Sequence, residues 1–362
     1  MSGAASTGVR TVPYALLSRD LRFKVQAMVD VVDALTQLAV TLVLAFAGAG
    51  YWALALGNVA ARVAGTVVAV AACPHPVRWP WPLSPIASAI RFGGEVVLSR
   101  VVWYAYSSAD MAIIGRVLGA GPLGSYSLAA SIASVPISKI YALYYKATSP
   151  VFSAAQHDPG ALRRYLLQML EAIALLACPL SLGVAVVAGP FVSVVLGPRW
   201  TPAVLPLQLL AVAAVTRWLD PIMAQILIST GRANDTTRVS AFAALLLPLG
   251  FLVGTRWGIA GVAAVWLVGH PVVVLMHQIV LVERVVGRFR REFLAALWPA
   301  LSGVGAMVPA VLLALHIAQR QSAAAQLALG VAVGACTYVG VLLLLHRARL
   351  TAIMNMIRRS RS

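Results

Sequence analysis

The sequence predicts an all-α membrane protein, a polytopic transmembrane helix bundle of about ten spans. Hydrophobic residues make up 60% of the 362 residues and charged residues only 11%, which leaves too few polar groups to cover a soluble globule. Apolar runs of about 20 residues, enough to cross a bilayer as a helix, recur along the chain. The connections between them are short and often rich in Gly or Pro, so no soluble domain is expected to interrupt the bundle.

Ten spans are predicted, and the distribution of positive charge orients them. Twenty Lys and Arg residues fall in loops and tails on one side and only four on the other, the asymmetry that marks a cytoplasmic face. Both termini are therefore predicted to be cytoplasmic, and no cleaved signal peptide is expected. The predicted spans are residues 25–47, 51–72, 87–115, 122–146, 164–188, 203–229, 237–254, 258–281, 293–317 and 323–345.

Several functional classes find no support in the sequence. The net charge of +17 is scattered between apolar runs rather than gathered on one polar domain, so no nucleic-acid partner is expected. The three cysteines lie far apart, and the six histidines form no metal-binding pattern. Nucleophile elbows, phosphate-binding loops and paired loop carboxylates are absent from the sequence as well. We therefore expect neither an enzyme nor a bound metal or cofactor.

The third predicted span carries ionisable groups at membrane depth. Glu95, Ser99, Trp103, Tyr106 and Asp110 fall within an arc of roughly 80° at helical spacing. Lipid tails cannot solvate such groups, so this stripe should face protein or water. Arg100 lies to one side of the stripe.

The fourth predicted span repeats the pattern with hydroxyl groups. Its stripe comprises Ser127, Ser131, Ser134, Ser138, Tyr141 and Tyr145, with Lys139 beside it. One interpretation is that both stripes line a water-filled cavity. The other is that the serines mediate close helix packing, while Glu95 and Asp110 form structural ion pairs with Arg100 or Lys139. We favour packing for the serines alone and cavity lining for the four charges together.

Isolated charges in two other spans have the same two possible roles, in a structural pair or in a cavity wall. Arg217 and Asp220 are three residues apart and can share a helix face, either as a structural pair or as part of a cavity wall. Pro221 is expected to kink the helix beside them. Arg62 has no carboxylate within reach on its own span, so it requires a partner elsewhere, an anionic ligand or a path to water.

Several connecting segments together resemble a known family. They are PYALLSRDLRFK, RFGGEVVLSR, SADMAIIGRVLGAGPLGSYSLA, SPVFSAAQHDPGALRRYLLQML, VVLGPRWTPAVLPLQLLAV, ISTGRANDTTR and TRWGIAGVAAVW. In this order they resemble lipopolysaccharide and capsule flippases of the Wzx (WzxC-like) type, within the multidrug/oligosaccharidyl-lipid/polysaccharide exporter superfamily. The resemblance extends from about Pro13 to Leu281.

This resemblance implies two six-helix lobes around a central cavity, often followed by two accessory helices. Such proteins move an undecaprenyl-pyrophosphate-linked oligosaccharide from the cytoplasmic to the periplasmic leaflet of the bacterial inner membrane. The implied partners are that lipid-linked substrate, membrane lipids and the polysaccharide polymerase machinery. Arg and Lys suit a pyrophosphate, and aromatic rings suit sugars. The cationic substrate-binding candidates are Arg62, Arg100, Lys139 and Arg217; the counterion or ion-coupling candidates are Glu95, Asp110 and Asp220; the cavity-lining candidates are Ser99, Trp103, Tyr106, Ser131, Ser134, Ser138 and Tyr141.

The sequence departs from the family in one respect. In the family, the segment similar to RDLRFK connects the fourth and fifth helices, whereas here it begins at Arg19. We therefore expect four helices fewer, in a partial two-lobed exporter fold. The predicted divisions are 1–24, a cytoplasmic segment; 25–85, a two-helix remnant of the N-lobe; 86–282, a six-helix C-lobe; 283–345, two accessory helices; and 346–362, a basic tail.

Two alternatives to a flippase follow from this. A non-transporting structural or partner-binding membrane protein, such as a decayed paralogue or a fragment, would tolerate the loss of half of the cavity wall. A membrane glycosyltransferase or polymerase would require long periplasmic loops with catalytic carboxylates or His, and the sequence contains no such loop.

Overall fold

A computed structural model describes residues 23–73, 101–155 and 158–347, which fall into two compact units, residues 1–89 and 90–362. In the described residues the chain is helical and contains no strand. The principal helices are α1 (Phe23–Phe46), α2 (Trp52–Ala72), α3 (Ala109–Val117), α4 (Ala120–Ala155), α5 (Pro159–Val186), α6 (Ala188–Phe191), α7 (Val204–Arg217), α8 (Asp220–Ser229), α9 (Ala233–Gly254), α10 (Gly258–His270), α11 (Met276–Val286), α12 (Arg290–Ile317) and α13 (Ala323–Leu345).

The all-α membrane class is confirmed, although the number of spans is not. Seven helical stretches among the described residues are long and apolar enough to cross a membrane. One of them, Asn234–Val286, contains α9 and α10 packed together, and the chain turns between them at Thr255–Trp257. The third predicted span is described only from residue 101, and the many serines of α4 lower its mean hydropathy. Ten spans therefore remains a prediction.

The described part of the first unit is a helical hairpin. Helices α1 and α2 pack along each other, joined by a turn in which Gly48 has a φ of +79°. A small residue is buried at every fourth position of α2, which lets two helix backbones approach closely without a driving force from water. The buried residues are Ala53, Gly57, Ala61, Gly65 and Ala69.

The second unit is organised around α7. This helix packs against α4, α5 and α10, and its buried face includes Leu207 and Ala213. Helices α12 and α13 pack together, and α12 also lies along α5. The hydroxyl of Tyr338 on α13 donates a buried 2.8 Å hydrogen bond to the carbonyl of Leu175, so these last two helices are fixed to the same core.

Two irregularities interrupt helices at membrane depth. The predicted kink is present: α7 ends at Arg217 and α8 begins at Asp220, because Pro221 lacks the N–H that would bond back to the carbonyl of Arg217. The second is a π-helical turn at Pro271–Leu275, directly after His270. Such turns often accompany functional sites, and both interruptions place polar side chains against one cavity.

Candidate functional site

A cavity of about 640 Å³ opens inside the second unit. Its wall combines ionisable, hydroxyl and aromatic side chains, which is unusual for a space between membrane helices. The lining residues come from five of the helices and from the helical segment 101–107. They are Trp103, Tyr106, Ser107, Asp110, Met111, Ala130, Ser131, Ala133, Ser134, Ser138, Leu210, Ala214, Arg217, Asp220, Pro221, Ala224, Trp266 and His270.

Asp110 is the most enclosed acidic group of this wall, with only 4% of its surface exposed. It lies in the first turn of α3, where the helix dipole favours a negative charge. Its Oδ2 accepts hydrogen bonds from the hydroxyl of Tyr126 at 2.7 Å and from the indole Nε1 of Trp266 at 2.8 Å. The Oδ1 atom accepts from the backbone N–H of Met111 at 2.7 Å. Three neutral donors thus hold this buried carboxylate in place.

Arg217 lies on the face of the same indole. Its guanidinium carbon is 4.3 Å from the centroid of the Trp266 ring, a cation–π geometry in which the delocalised charge stacks on the aromatic surface. Arg217 occupies the last turn of α7, where a positive charge is favoured. The ring of Trp266 packs in turn against Phe251, with centroids 5.2 Å apart. Packing against Phe251 therefore fixes the ring on which the guanidinium of Arg217 lies.

Asp220 and His270 form a second polar contact on this wall. Nε2 of His270 lies 2.7 Å from Oδ2 of Asp220, and His270 is 1% exposed. Asp220 begins α8, again at the helix end that favours its charge. Among the described residues, Oδ1 of Asp220 and Nδ1 of His270 have no hydrogen-bond partner. Both atoms are buried.

The serines of α4 form another part of the wall. Ser131, Ser134 and Ser138 line the cavity and are exposed there rather than packed between helices. Each hydroxyl donates to a carbonyl of its own helix, as in the 2.8 Å bond from Ser131 to Ser127. Their oxygen lone pairs remain available to accept hydrogen bonds from a ligand.

The structure thus brings together eight of the predicted site residues, which lie on the cavity wall. They are Trp103, Tyr106, Asp110, Ser131, Ser134, Ser138, Arg217 and Asp220. Helical spacing suggested that Arg217 and Asp220 could pair; in the structure Asp220 contacts His270, and Arg217 stacks on Trp266.

The remaining predicted residues lie elsewhere. Glu95, Ser99 and Arg100 fall outside the described residues. Lys139 and Tyr141 belong to α4, but their side chains are not among those described. Arg62 belongs to the first unit, where it is exposed on α2 and its carbonyl accepts a 2.6 Å hydrogen bond from Thr66. The roles predicted for these residues stay predictions.

Tyr126, Trp266 and His270 hold the charged groups of this site, and none of the three was predicted to belong to it. Trp266 and His270 are four residues apart, so they share one face of an otherwise apolar span. That spacing was the available signal. No sequence signal pointed to Tyr126, because it lies off the serine stripe and contacts Asp110 from a neighbouring helix.

Comparison with known proteins agrees with this architecture. The family model described as "Polysaccharide biosynthesis protein" matches residues 3–205. The lipopolysaccharide biosynthesis protein WzxC of Escherichia coli K12 is 25% identical over 291 residues, 78% of this chain and 58% of WzxC. The succinoglycan biosynthesis transport protein ExoT of Rhizobium meliloti is 26% identical over 360 residues, 96% of this chain and 71% of ExoT. The teichuronic acid biosynthesis protein TuaB of Bacillus subtilis is 33% identical over 143 residues, 40% of this chain and 30% of TuaB.

A solved structure shares the fold. Lipid II flippase MurJ, in an inward closed conformation, superposes with a TM-score of 0.73 at 12% identity, covering 96% of this chain and 73% of MurJ. The likeness at this identity establishes the fold alone. Since the family model covers more than half of the 362 residues, the chain belongs to the polysaccharide biosynthesis protein family of multi-pass membrane proteins.

Proposed function

We propose that this protein takes part in flipping an undecaprenyl-pyrophosphate-linked oligosaccharide across the bacterial inner membrane during polysaccharide biosynthesis. The observation that carries the proposal is Arg217, held on the Trp266 ring in a polar cavity of about 640 Å³ inside an exporter-like bundle. Its family and its WzxC and ExoT relatives support a role in polysaccharide biosynthesis.

The cavity wall suits the two chemical parts of such a substrate. A guanidinium binds phosphate oxygens through charge-assisted and often bidentate hydrogen bonds, so Arg217 is the candidate for the pyrophosphate. Trp103 is 55% exposed and lines the cavity, which leaves its ring available to stack on a sugar. The α4 serines accept hydrogen bonds from sugar hydroxyls. Arg62, Arg100 and Lys139 are further candidates for cationic contacts.

The acidic groups of the cavity wall would balance the positive charge of Arg217. Asp110 is joined to Arg217 through the Trp266 ring, and Asp220 contacts a buried histidine. We assign both carboxylates, together with Glu95, as counterions or as sites for a coupling ion. The interruption between Arg217 and Asp220 resembles the broken helices that bind substrate at the midplane of transporters.

We also propose how the chain is divided into lobes and on which side its termini lie. Residues 25–85 would contribute two helices of an N-lobe, 86–282 a C-lobe and 283–345 two accessory helices, with both termini cytoplasmic. The polymerase machinery would receive the flipped substrate. The chain spans 58% of the length of WzxC.

Deletion of the gene in its own bacterium tests this proposal. Loss of a flippase should abolish surface polysaccharide while lipid-linked oligosaccharide accumulates on the cytoplasmic leaflet. Arg100→Ala and Lys139→Ala should each cause the same defect at normal expression. Reintroducing the unaltered gene at its locus should restore export.

The location of the lipid-linked pool separates this proposal from its alternative. A lectin- or glycosidase-accessibility assay on inside-out and right-side-out vesicles would report the leaflet. A partner-binding membrane protein would reduce polymer length or amount while the lipid-linked substrate still reached the periplasmic leaflet. That distribution would overturn the proposed function. Full activity of both the Arg100→Ala and the Lys139→Ala proteins would overturn the assignment of these two residues to the substrate.

A further inference from the structure

A second polar pocket lies apart from the cavity, where α5, α11 and α12 meet. It encloses about 440 Å³ and shares no residue with the cavity wall. We call it the arginine pocket. Its lining comprises Arg163, Glu283, Arg288, Phe289, Arg290, Arg291 and Glu292.

Two ion pairs hold its walls in place. Arg163 on α5 pairs with Glu292 on α12, with Nε 2.7 Å from Oε2, and also donates a 2.8 Å hydrogen bond to the carbonyl of Arg288. Glu283 receives Arg290 in a bidentate geometry with contacts of 3.0 Å. Phe289, 1% exposed, anchors the connecting segment beneath them. Two ion pairs and a buried aromatic ring therefore fix the geometry of the pocket.

The pocket carries more positive than negative charge. Four arginines face two glutamates, and both glutamates are already paired. In the part of the chain that the structure describes, the side chains of Arg288 and Arg291 contact no carboxylate, and both are exposed. Two guanidinium groups are thus available to an anion.

An apolar face continues from these cations along α12. Arg291, Leu294, Trp298 and Leu301 lie within an arc of roughly 80° at helical spacing. Leu294 and Trp298 are each 61% exposed. A cation at the start of a membrane helix, followed by an uncovered apolar stripe, matches the two ends of a phospholipid. On a membrane-spanning helix such a stripe faces acyl chains, so a lipid lying against it would bring its headgroup to these cations, whereas a free phosphate would use the cations alone.

We propose that the arginine pocket binds the phosphate headgroup of an anionic phospholipid through Arg288 and Arg291, with the acyl chains lying along Leu294, Trp298 and Leu301. Basic pockets between membrane helices are suited to anionic headgroups. This lipid would sit where α12 meets α5 and α11, and so it would reinforce the attachment of the last two helices to the rest of the unit.

Native mass spectrometry of the full chain, purified in detergent and stripped of lipid, tests this site. The probes are phosphatidylglycerol and phosphatidylcholine with identical acyl chains. Removing both pocket cations in Arg288→Gln/Arg291→Gln should weaken phosphatidylglycerol binding roughly 30-fold. Phosphatidylcholine should lose much less affinity, because its choline cation offsets the charge of its phosphate. The matched control is Arg199→Gln/Arg256→Gln, which removes two exposed arginines outside the pocket and should bind as the unaltered protein does.

Three results would overturn the proposal. The first is phosphatidylglycerol binding in the Arg288/Arg291 variant equal to that of the control. The second is inorganic phosphate binding as tightly as phosphatidylglycerol and with the same sensitivity to Arg288→Gln/Arg291→Gln, which would indicate a free-anion site. The third is an equal loss in Arg288→Lys/Arg291→Lys, which keeps both charges and is expected to retain most of the affinity.

Discussion

The indole N–H of Trp266 donates a 2.8 Å hydrogen bond to Oδ2 of Asp110, a residue 156 positions earlier in the chain. The face of the same ring carries the guanidinium of Arg217. One aromatic side chain therefore fixes a buried anion at its edge and a cation on its surface. This arrangement places a carboxylate and a guanidinium on the same indole ring in the cavity wall.

Substitution of Trp266 by Phe should destabilise the protein. The change keeps an aromatic ring but removes the N–H, so Oδ2 of Asp110 keeps only Tyr126 as a side-chain donor. We expect a cost of about 1–3 kcal/mol, measured as a lower midpoint of thermal unfolding in detergent. Trp257→Phe is the control, because Trp257 is 69% exposed. Equal midpoints for the two variants would show that the Asp110 hydrogen bond contributes nothing.

Asp220→Asn separates a structural from a functional carboxylate. Asparagine has almost the same volume and can still hydrogen-bond His270, so the unfolding midpoint should change little. Export should nevertheless fall about tenfold or more if the negative charge acts as a counterion or coupling site, which corresponds to about 1.4 kcal/mol or more. Surface polysaccharide measured at equal protein level is the readout. Unchanged export together with an unchanged midpoint would exclude both roles.

Gly261→Ala should disrupt the packing of α9 against α10. A Cβ atom at Gly261 would collide with the carbonyl of Gly254, and one at Gly254 would lie 2.9 Å from the backbone of Gly261. Neither backbone can yield without shifting a helix, so a loss of about 1–3 kcal/mol is expected. Gly305→Ala, with no atom near its added Cβ, serves as the matched helical control. Thermal unfolding of both variants tests the close approach, and a Gly261→Ala protein as stable as Gly305→Ala would contradict it.

Much of this site could be predicted from the sequence because charges at membrane depth have few tolerable positions. Helical spacing placed Trp103, Tyr106 and Asp110 on one stripe, and all three line the cavity. Pro221 indicated the interruption that separates α7 from α8. Both inferences depend only on geometry within a single helix.

The contacts between helices could not be predicted in the same way. Asp110 is held by Tyr126 and Trp266, which lie on two other helices, and spacing along one helix does not specify its neighbours. Hydropathy also treats Trp266 as an ordinary membrane residue, although its N–H and its ring face both serve the site. The turn at Thr255–Trp257, in contrast, falls where the sequence predicted a break, between the spans 237–254 and 258–281.

Surface polysaccharide in a strain carrying Arg217→Gln at the native locus is the most direct test of the central claim. Arg199→Gln, which removes an exposed arginine outside the cavity wall, is the control. Losing one charge-assisted contact to phosphate costs about 1.5–3 kcal/mol, so export should fall at least tenfold while lipid-linked oligosaccharide accumulates on the cytoplasmic leaflet. Wild-type export by Arg217→Gln protein at normal abundance would contradict the claim that this cation binds the substrate.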